Sequence, residues 1–174
     1  MTYPQHAWLA IGPRRVALVL VVSAVLAAAS SAAPAHPKSA PPFVLPGRAG
    51  TVALDSLRGR VVLVDFWASW CTPCRSSFPW MQALHEKYSR RGLTIVAINL
   101  DKDRAAADAF LEENPATFTV AFDPKGKTAE AYRVEAMPSS YLIGPTGTVL
   151  HAHAGFDPKQ TGTFETLIQE ACKP

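Results

Sequence analysis

Val61-Val62-Leu63-Val64-Asp65-Phe66-Trp67-Ala68-Ser69-Trp70-Cys71-Thr72-Pro73-Cys74 is the stretch that decides the fold of this 174-residue chain. Residues 60–67 form a near-continuous apolar run, the pattern of a strand covered on both faces. Two thiols separated by two residues follow at once, where the strand hands over to a helix. The thiolate is the reactive form of cysteine, and a helix N-terminus stabilises it with unpaired backbone N–H groups and the positive end of the helix dipole. In such a turn Cys71 is expected to be exposed and activated, and Cys74, one helical turn further in, shielded. That asymmetry makes an attacking and a resolving thiol, suited to reversible disulfide chemistry. Structural zinc requires four ligands, and no second pair of this spacing exists. A purely structural disulfide across so short a loop stabilises little through chain entropy.

Working outward, the spacing of Phe78, Met81, Leu84, His85 and Tyr88 predicts a helix over 72–91, ended by Gly92 and kinked at Pro79. A second apolar strand is expected over 93–100, and a helix over 103–113 with Phe110 and Leu111 facing inward. A short strand over 118–122, a turn at Asp123-Pro124-Lys125-Gly126 and a brief helix over 127–132 follow. Strands over 139–143 and 148–154, joined by Gly144-Pro145-Thr146-Gly147, read as an antiparallel hairpin, and a last helix spans 158–171. Upstream, Phe43-Val44-Leu45 and Thr51-Val52-Ala53-Leu54 read as a short hairpin. Strands alternating with helices, closed by a hairpin and a helix, imply an α/β fold with a mixed sheet covered on both faces.

The N-terminus has a different grammar. Residues 1–35 contain Arg14 and Arg15, no acidic residue, and an apolar stretch of 14 residues over 16–29 interrupted only by Ser23. Small residues and prolines come next, which is the order of an export signal. Extended to Ala33, the apolar run reaches 18 residues, so the segment reads as a signal peptide or as an N-terminal membrane anchor. Residues 36–42 are proline-rich and read as a tether, leaving 43–174 as one domain. Of 17 basic residues two lie in the signal, so 15 remain against 14 acidic ones. No basic stripe is present, and nucleic-acid binding is not expected.

With these residues in view, the chain resembles the exported TlpA/ResA-type thiol–disulfide oxidoreductases of the thioredoxin-like superfamily. The resemblance covers roughly residues 41–172. It is carried by Pro42-Phe43-Val44-Leu45, Leu57-Arg58-Gly59-Arg60, Asp65 through Cys74, Phe78-Pro79, Asn99-Leu100-Asp101, Phe122-Asp123-Pro124, Tyr132-Arg133-Val134, Met137-Pro138-Ser139 and Gly155. It implies a thioredoxin-like fold, a central mixed β-sheet flanked by helices, with an added N-terminal β-hairpin and a central insertion at 101–122. It also implies that Cys71 is the nucleophile, Cys74 the resolving thiol, and Pro138 the cis-proline facing them. Trp70, Thr72, Pro73 and Met137 are then expected to border the substrate groove.

Two departures from the family pattern stand out. Ser77 occupies the position three after Cys74 where many such reductants carry an acid, and Asp65 stands where many have asparagine. Buried on its strand, Asp65 is expected to have a raised pKa and to accept the proton from Cys74. Thioredoxins usually supply a lysine nearby; the matching position here is Ala97.

The expected function is therefore reduction of disulfides in extracytoplasmic proteins, apocytochrome c or copper-site cysteines among them, with no cofactor. Electrons are expected from a membrane-embedded donor, and residues 16–33 are a candidate membrane tether. A disulfide oxidase or isomerase uses the same residues, and a Cu(I) metallochaperone could bind through the two thiolates. Nothing in the chain resembles the cysteine environment of the fold's peroxide-consuming members. His151 and His153 read as solvated side chains on an outer strand, Trp80 as packing, and Cys172 as an exposed or loosely packed thiol. Trp67 and Trp70 are expected to pack around the redox turn.

Overall fold

A computed structural model describes residues 36–173; the expected export segment lies outside them. Seven strands form one sheet: β1 (Val44–Gly47), β2 (Gly50–Ala53), β3 (Val61–Trp67), β4 (Leu93–Asn99), β5 (Thr119–Phe122), β6 (Ser139–Ile143) and β7 (Val149–Ala154), in the spatial order β2-β1-β5-β4-β3-β6-β7. β3 runs parallel to β4 and β4 to β5, while β6 and β7 are antiparallel additions at one side. The helices are α1 (Thr72–Tyr88), α2 (Arg104–Glu113), α3 (Lys127–Tyr132) and α4 (Thr161–Ala171). The expected N-terminal hairpin is β1–β2, and it extends the sheet by pairing Gly47 with Ala121 of β5.

Every residue of β3 is buried, as its unbroken apolar run requires. Alternation along the strand sorts its side chains between two cores. Val61, Leu63 and Trp67 face a core built with α1, α2 and α4, whereas Val62, Val64 and Phe66 face one built with the hairpin and α3. Trp67 lies 4.8 Å from Phe78 of α1 and 4.6 Å from Phe110 of α2, between ring centroids. Phe78 and Phe110 meet in turn at 4.9 Å. This aromatic knot fixes the start of α1 against the end of β3, which is where the two cysteines sit.

α1 continues through Pro79, although the proline ring removes one rung of its ladder. Its C-terminal side tightens into a 3-10 turn over Ser89–Arg91, and Gly92, with φ near 100°, reverses the chain into β4. α4 begins at Thr161 rather than near 158. The Asp157 carboxylate accepts from the Lys159 amide and the Gln160 side chain, holding that stretch in a turn. The proline-rich stretch 36–42 is held against the domain at its middle. Ser39 bridges Thr148, the Ala40 amide donates to the Gly147 carbonyl, and Val149 donates to Lys38. Among the described residues, no helix is long and apolar enough to cross a membrane.

Candidate active site

Cys71 is the N-cap of α1, and Pro73 sits in the first turn, where its missing N–H costs nothing. Cys71 and Cys74 are joined as a disulfide. The Cys74 amide points at the Cys71 sulfur at 3.3 Å, so the helix terminus presents an N–H donor to that sulfur. Cys74 is fully buried, as expected. Cys71 is only 5% exposed, contrary to the open position expected for it, and belongs to the same core as Cys74.

The turn leading into Cys71 is clamped by residues whose part in the site the sequence did not reveal. The Asp101 carboxylate accepts from the Ser69 amide at 2.9 Å, from the Ser69 hydroxyl at 3.1 Å and from the Asn99 side chain at 2.8 Å. The Asp101 amide in turn donates to the Asn99 side-chain oxygen. Asn99-Leu100-Asp101 stood out in the sequence, but only the end-to-end pairing of β3 and β4 shows that they hold the loop before the thiols. Trp67 packs beneath this turn, whereas Trp70 stands 70% exposed beside Cys71.

The Met137–Pro138 peptide bond is cis. Met137 packs against the core that contains both cysteines, and the Pro138 carbonyl accepts from the Gly155 amide at 2.7 Å. Gly155 makes that approach with φ near 85°, which a side chain would strain. Thr72 and Pro73, between the cysteines, are exposed on the same turn as Trp70.

Asp65 is 1% exposed, and it lies between Leu63 and Trp67 on the side of β3 that packs against α1. Burial pushes its carboxyl up to about 7, against the opposing effect of a bond from the Ser140 hydroxyl. That bond, 2.6 Å long, occupies Oδ1, and Oδ2 is buried with no partner among the described residues. Its neighbour across β4 is Ala97, which offers no charge. The pair of sulfurs thus sits at the head of α1, and on the sheet face that packs against α1 lies a buried carboxyl with one oxygen unpartnered among the described residues. Ser77 does not join it, since its hydroxyl donates to the Cys74 carbonyl within α1.

The remaining candidates lie apart from the sulfurs. His151 and His153 are half-buried rather than solvated. Their rings lie 5.3 Å and 6.3 Å from that of Phe164, and burial lowers the pKa of His151. Trp80 packs as expected, against Phe156 and Phe164. Cys172 is half-buried beyond α4, where burial pushes its thiol up.

Comparison with known proteins agrees with this geometry. Residues 37–152 match the AhpC/TSA family. A thiol-disulfide oxidoreductase ResA of Oceanobacillus iheyensis is 39% identical over 99 residues, covering 57% of this chain and 52% of its own. A ResA of Bacillus cereus is 34% identical over 124 residues, covering 71% and 72%. The matched stretch thus spans only about half of the first of these relatives. A crystal structure from Chlorobium tepidum, described as a thiol:disulfide interchange protein DsbE, superposes with a TM-score of 0.78 at 48% identity, covering 80% of this chain and 99% of that one. The seven-stranded α/β domain with Cys71 and Cys74 at the head of α1 therefore has the thioredoxin-like fold, and the chain belongs to the AhpC/TSA family and, within it, to the ResA-type thiol–disulfide oxidoreductases.

Proposed function

We propose that this protein reduces disulfides in extracytoplasmic proteins, with Cys71 as nucleophile and Cys74 as resolving thiol. The observation that carries the reading is the placing of this pair at the N-terminus of α1, with Asp65 buried on the sheet face beneath the helix. In the first step the Cys71 thiolate attacks one sulfur of the substrate disulfide. The other substrate sulfur leaves as a thiolate and takes a proton from water. A mixed disulfide remains between Cys71 and the substrate.

In the second step Asp65 takes the proton of the Cys74 thiol, and the Cys74 thiolate attacks the Cys71 sulfur. The bond to substrate breaks, and the second substrate thiolate departs. Two electrons have passed to the substrate, and Cys71–Cys74 is again a disulfide. Asp65 suits the task because a carboxyl with a pKa near 7 can both accept and return a proton near neutral pH. Pro138, with Met137, is assigned to the wall of the groove, and Trp70, Thr72 and Pro73 to its rim.

Location and partners belong to the same proposal. Residues 1–35, with Arg14-Arg15 ahead of an apolar stretch, serve as an export signal or as an anchor through 16–33. In an oxidising compartment a reductant must be recharged, so a membrane-embedded dithiol donor is the expected electron source. Apocytochrome c and copper-site cysteines are the substrate classes that the family resemblance suggests.

Equilibration of the Cys71–Cys74 pair with glutathione tests the direction. A reduction potential below about −230 mV is expected of a reductant, whereas a value near −120 mV, typical of a strong oxidant, overturns the reading.

A further inference from the structure

Asp65, Ser140 and His153 lie side by side across three strands. Asp65 of β3 is the register partner of Ser140 on β6, and Ser140 is the partner of His153 on β7. All three side chains fall on the sheet face that packs against α1 and α4. Directly opposed residues bring their Cβ atoms to about 5 Å, so the row is continuous. Ser140 is buried, and its hydroxyl is committed to Asp65 Oδ1. Yet Ser140 also lines a cleft of about 180 Å³ between β7 and α4, walled by Trp80, Phe164, His151 and His153. The volume is ample for water, and the histidines make it polar enough to hold some.

On its other sides Asp65 is closed in. β4 contributes Ala97, and Oδ2 is buried with no partner among the described residues. A base that accepts a proton in every cycle must also release it, and the route through a lysine at position 97 is absent. We propose that the Ser140 hydroxyl is the proton outlet of this site, passing the proton that Asp65 takes from Cys74 into the histidine-lined cleft under β7. With the carboxylate, the Ser140 hydroxyl donates to Oδ1; once Asp65 is protonated the bond reverses, the carboxyl O–H turning to Ser140 Oγ, which takes that proton as it gives its own to water in the cleft. The carboxylate is restored and no redox change is involved. Ser140 is a positioning and relay residue, because it touches Asp65 and not the substrate. The ionisable groups facing this row are Cys71 and Cys74 from α1, His151 and His153 from β7, and Asp157 at the cleft mouth, with His36 acting on His151.

The inference rests on the assignment of Cys74 as resolving thiol and Asp65 as its base. It is tested by following release of substrate thiol from the mixed disulfide against pH, in the full-length protein and in its Ser140→Ala, Ser140→Thr and Asp65→Asn variants. Ser140→Ala is expected to slow release about tenfold and to move the pH midpoint up by roughly one unit, since the donor that favours the carboxylate is gone. Ser140→Thr is expected to restore both, while the rate of Cys71 alkylation stays unchanged. If Ser140→Ala does not fold, Ser140→Val set against Ser140→Thr isolates the hydroxyl at equal bulk. Wild-type rate and midpoint in the hydroxyl-free variant, with both altered in Asp65→Asn, overturn the outlet alone. Wild-type behaviour in Asp65→Asn overturns the base and the outlet together. Failure of the wild type to form any mixed disulfide overturns the proposed function.

Discussion

Cys74→Ser is expected to stop turnover, lowering it on the order of a thousandfold or more, while leaving the first attack intact. The reason is geometric. Cys74 is wholly buried one turn inside α1, so it meets Cys71 and not the substrate. Without it, the bond between Cys71 and a substrate sulfur can be broken only by a thiol from outside, and the mixed disulfide accumulates. Exposed to disulfide-bearing extracytoplasmic proteins, the variant should be recovered as covalent adducts that a reductant releases. Cys71→Ser should yield none, because a hydroxyl at the N-cap is too poor a nucleophile to open a disulfide. Electrophoresis without reductant, followed by identification of the attached chain, reads the result and names the substrate. Equal adduct formation by both serine variants contradicts the division of labour between the two sulfurs.

Asp65→Asn is expected to act in opposite directions on chemistry and on stability. Removal of a general base from the resolving step costs about a hundredfold in rate. Stability changes the other way because the carboxyl is held at about 7 by burial, against an ordinary value of 3.8. Between those two pH values the folded protein holds a proton that the unfolded chain has released. Stability therefore falls as pH rises through this window, at up to about 1.4 kcal/mol per unit, or about 4 kcal/mol in all as an upper limit. Below pH 4 both states are protonated and the penalty vanishes. Asparagine has no charge to bury. The variant should gain stability over the wild type at pH 8, by about 2–4 kcal/mol, and lose that advantage toward pH 4. Chemical denaturation of the oxidised proteins at the two pH values measures it. An advantage that does not depend on pH contradicts a buried, ionising Asp65.

Much of this was legible in the chain because the decisive signals are local. The short apolar run 61–67 reads as a strand buried on both faces, and Phe78, Met81, Leu84 and Tyr88 mark one side of α1. The two cysteines at the junction inherit their placing from those neighbours. Features made by contacts distant in sequence were not legible. Nothing local to Gly47 indicates that β1 lies beside β5, or that Ser39 bridges Thr148. Asn99-Leu100-Asp101 stood out, but the part Asp101 plays shows only once β3 and β4 are aligned and its carboxylate meets Ser69. Ser140 left a faint trace, as one of two hydroxyls opening an otherwise apolar strand after Pro138. Its partner Asp65 is 75 residues away, and only the antiparallel register of β3 and β6 joins them. Trp67 and Trp70 look alike in the sequence, and only the fold separates them, Trp67 filling the space beneath the turn and Trp70 standing exposed.

The account depends most on the Cys71 sulfur existing as an anion near neutral pH once the disulfide is reduced. The rate of alkylation of reduced Cys71 by iodoacetamide, measured from pH 4 to 10, tests this directly. A midpoint at or below about 7.5 is predicted, as a helix N-cap with an amide aimed at the sulfur requires. A midpoint near 8.5, the value of an ordinary cysteine, contradicts it.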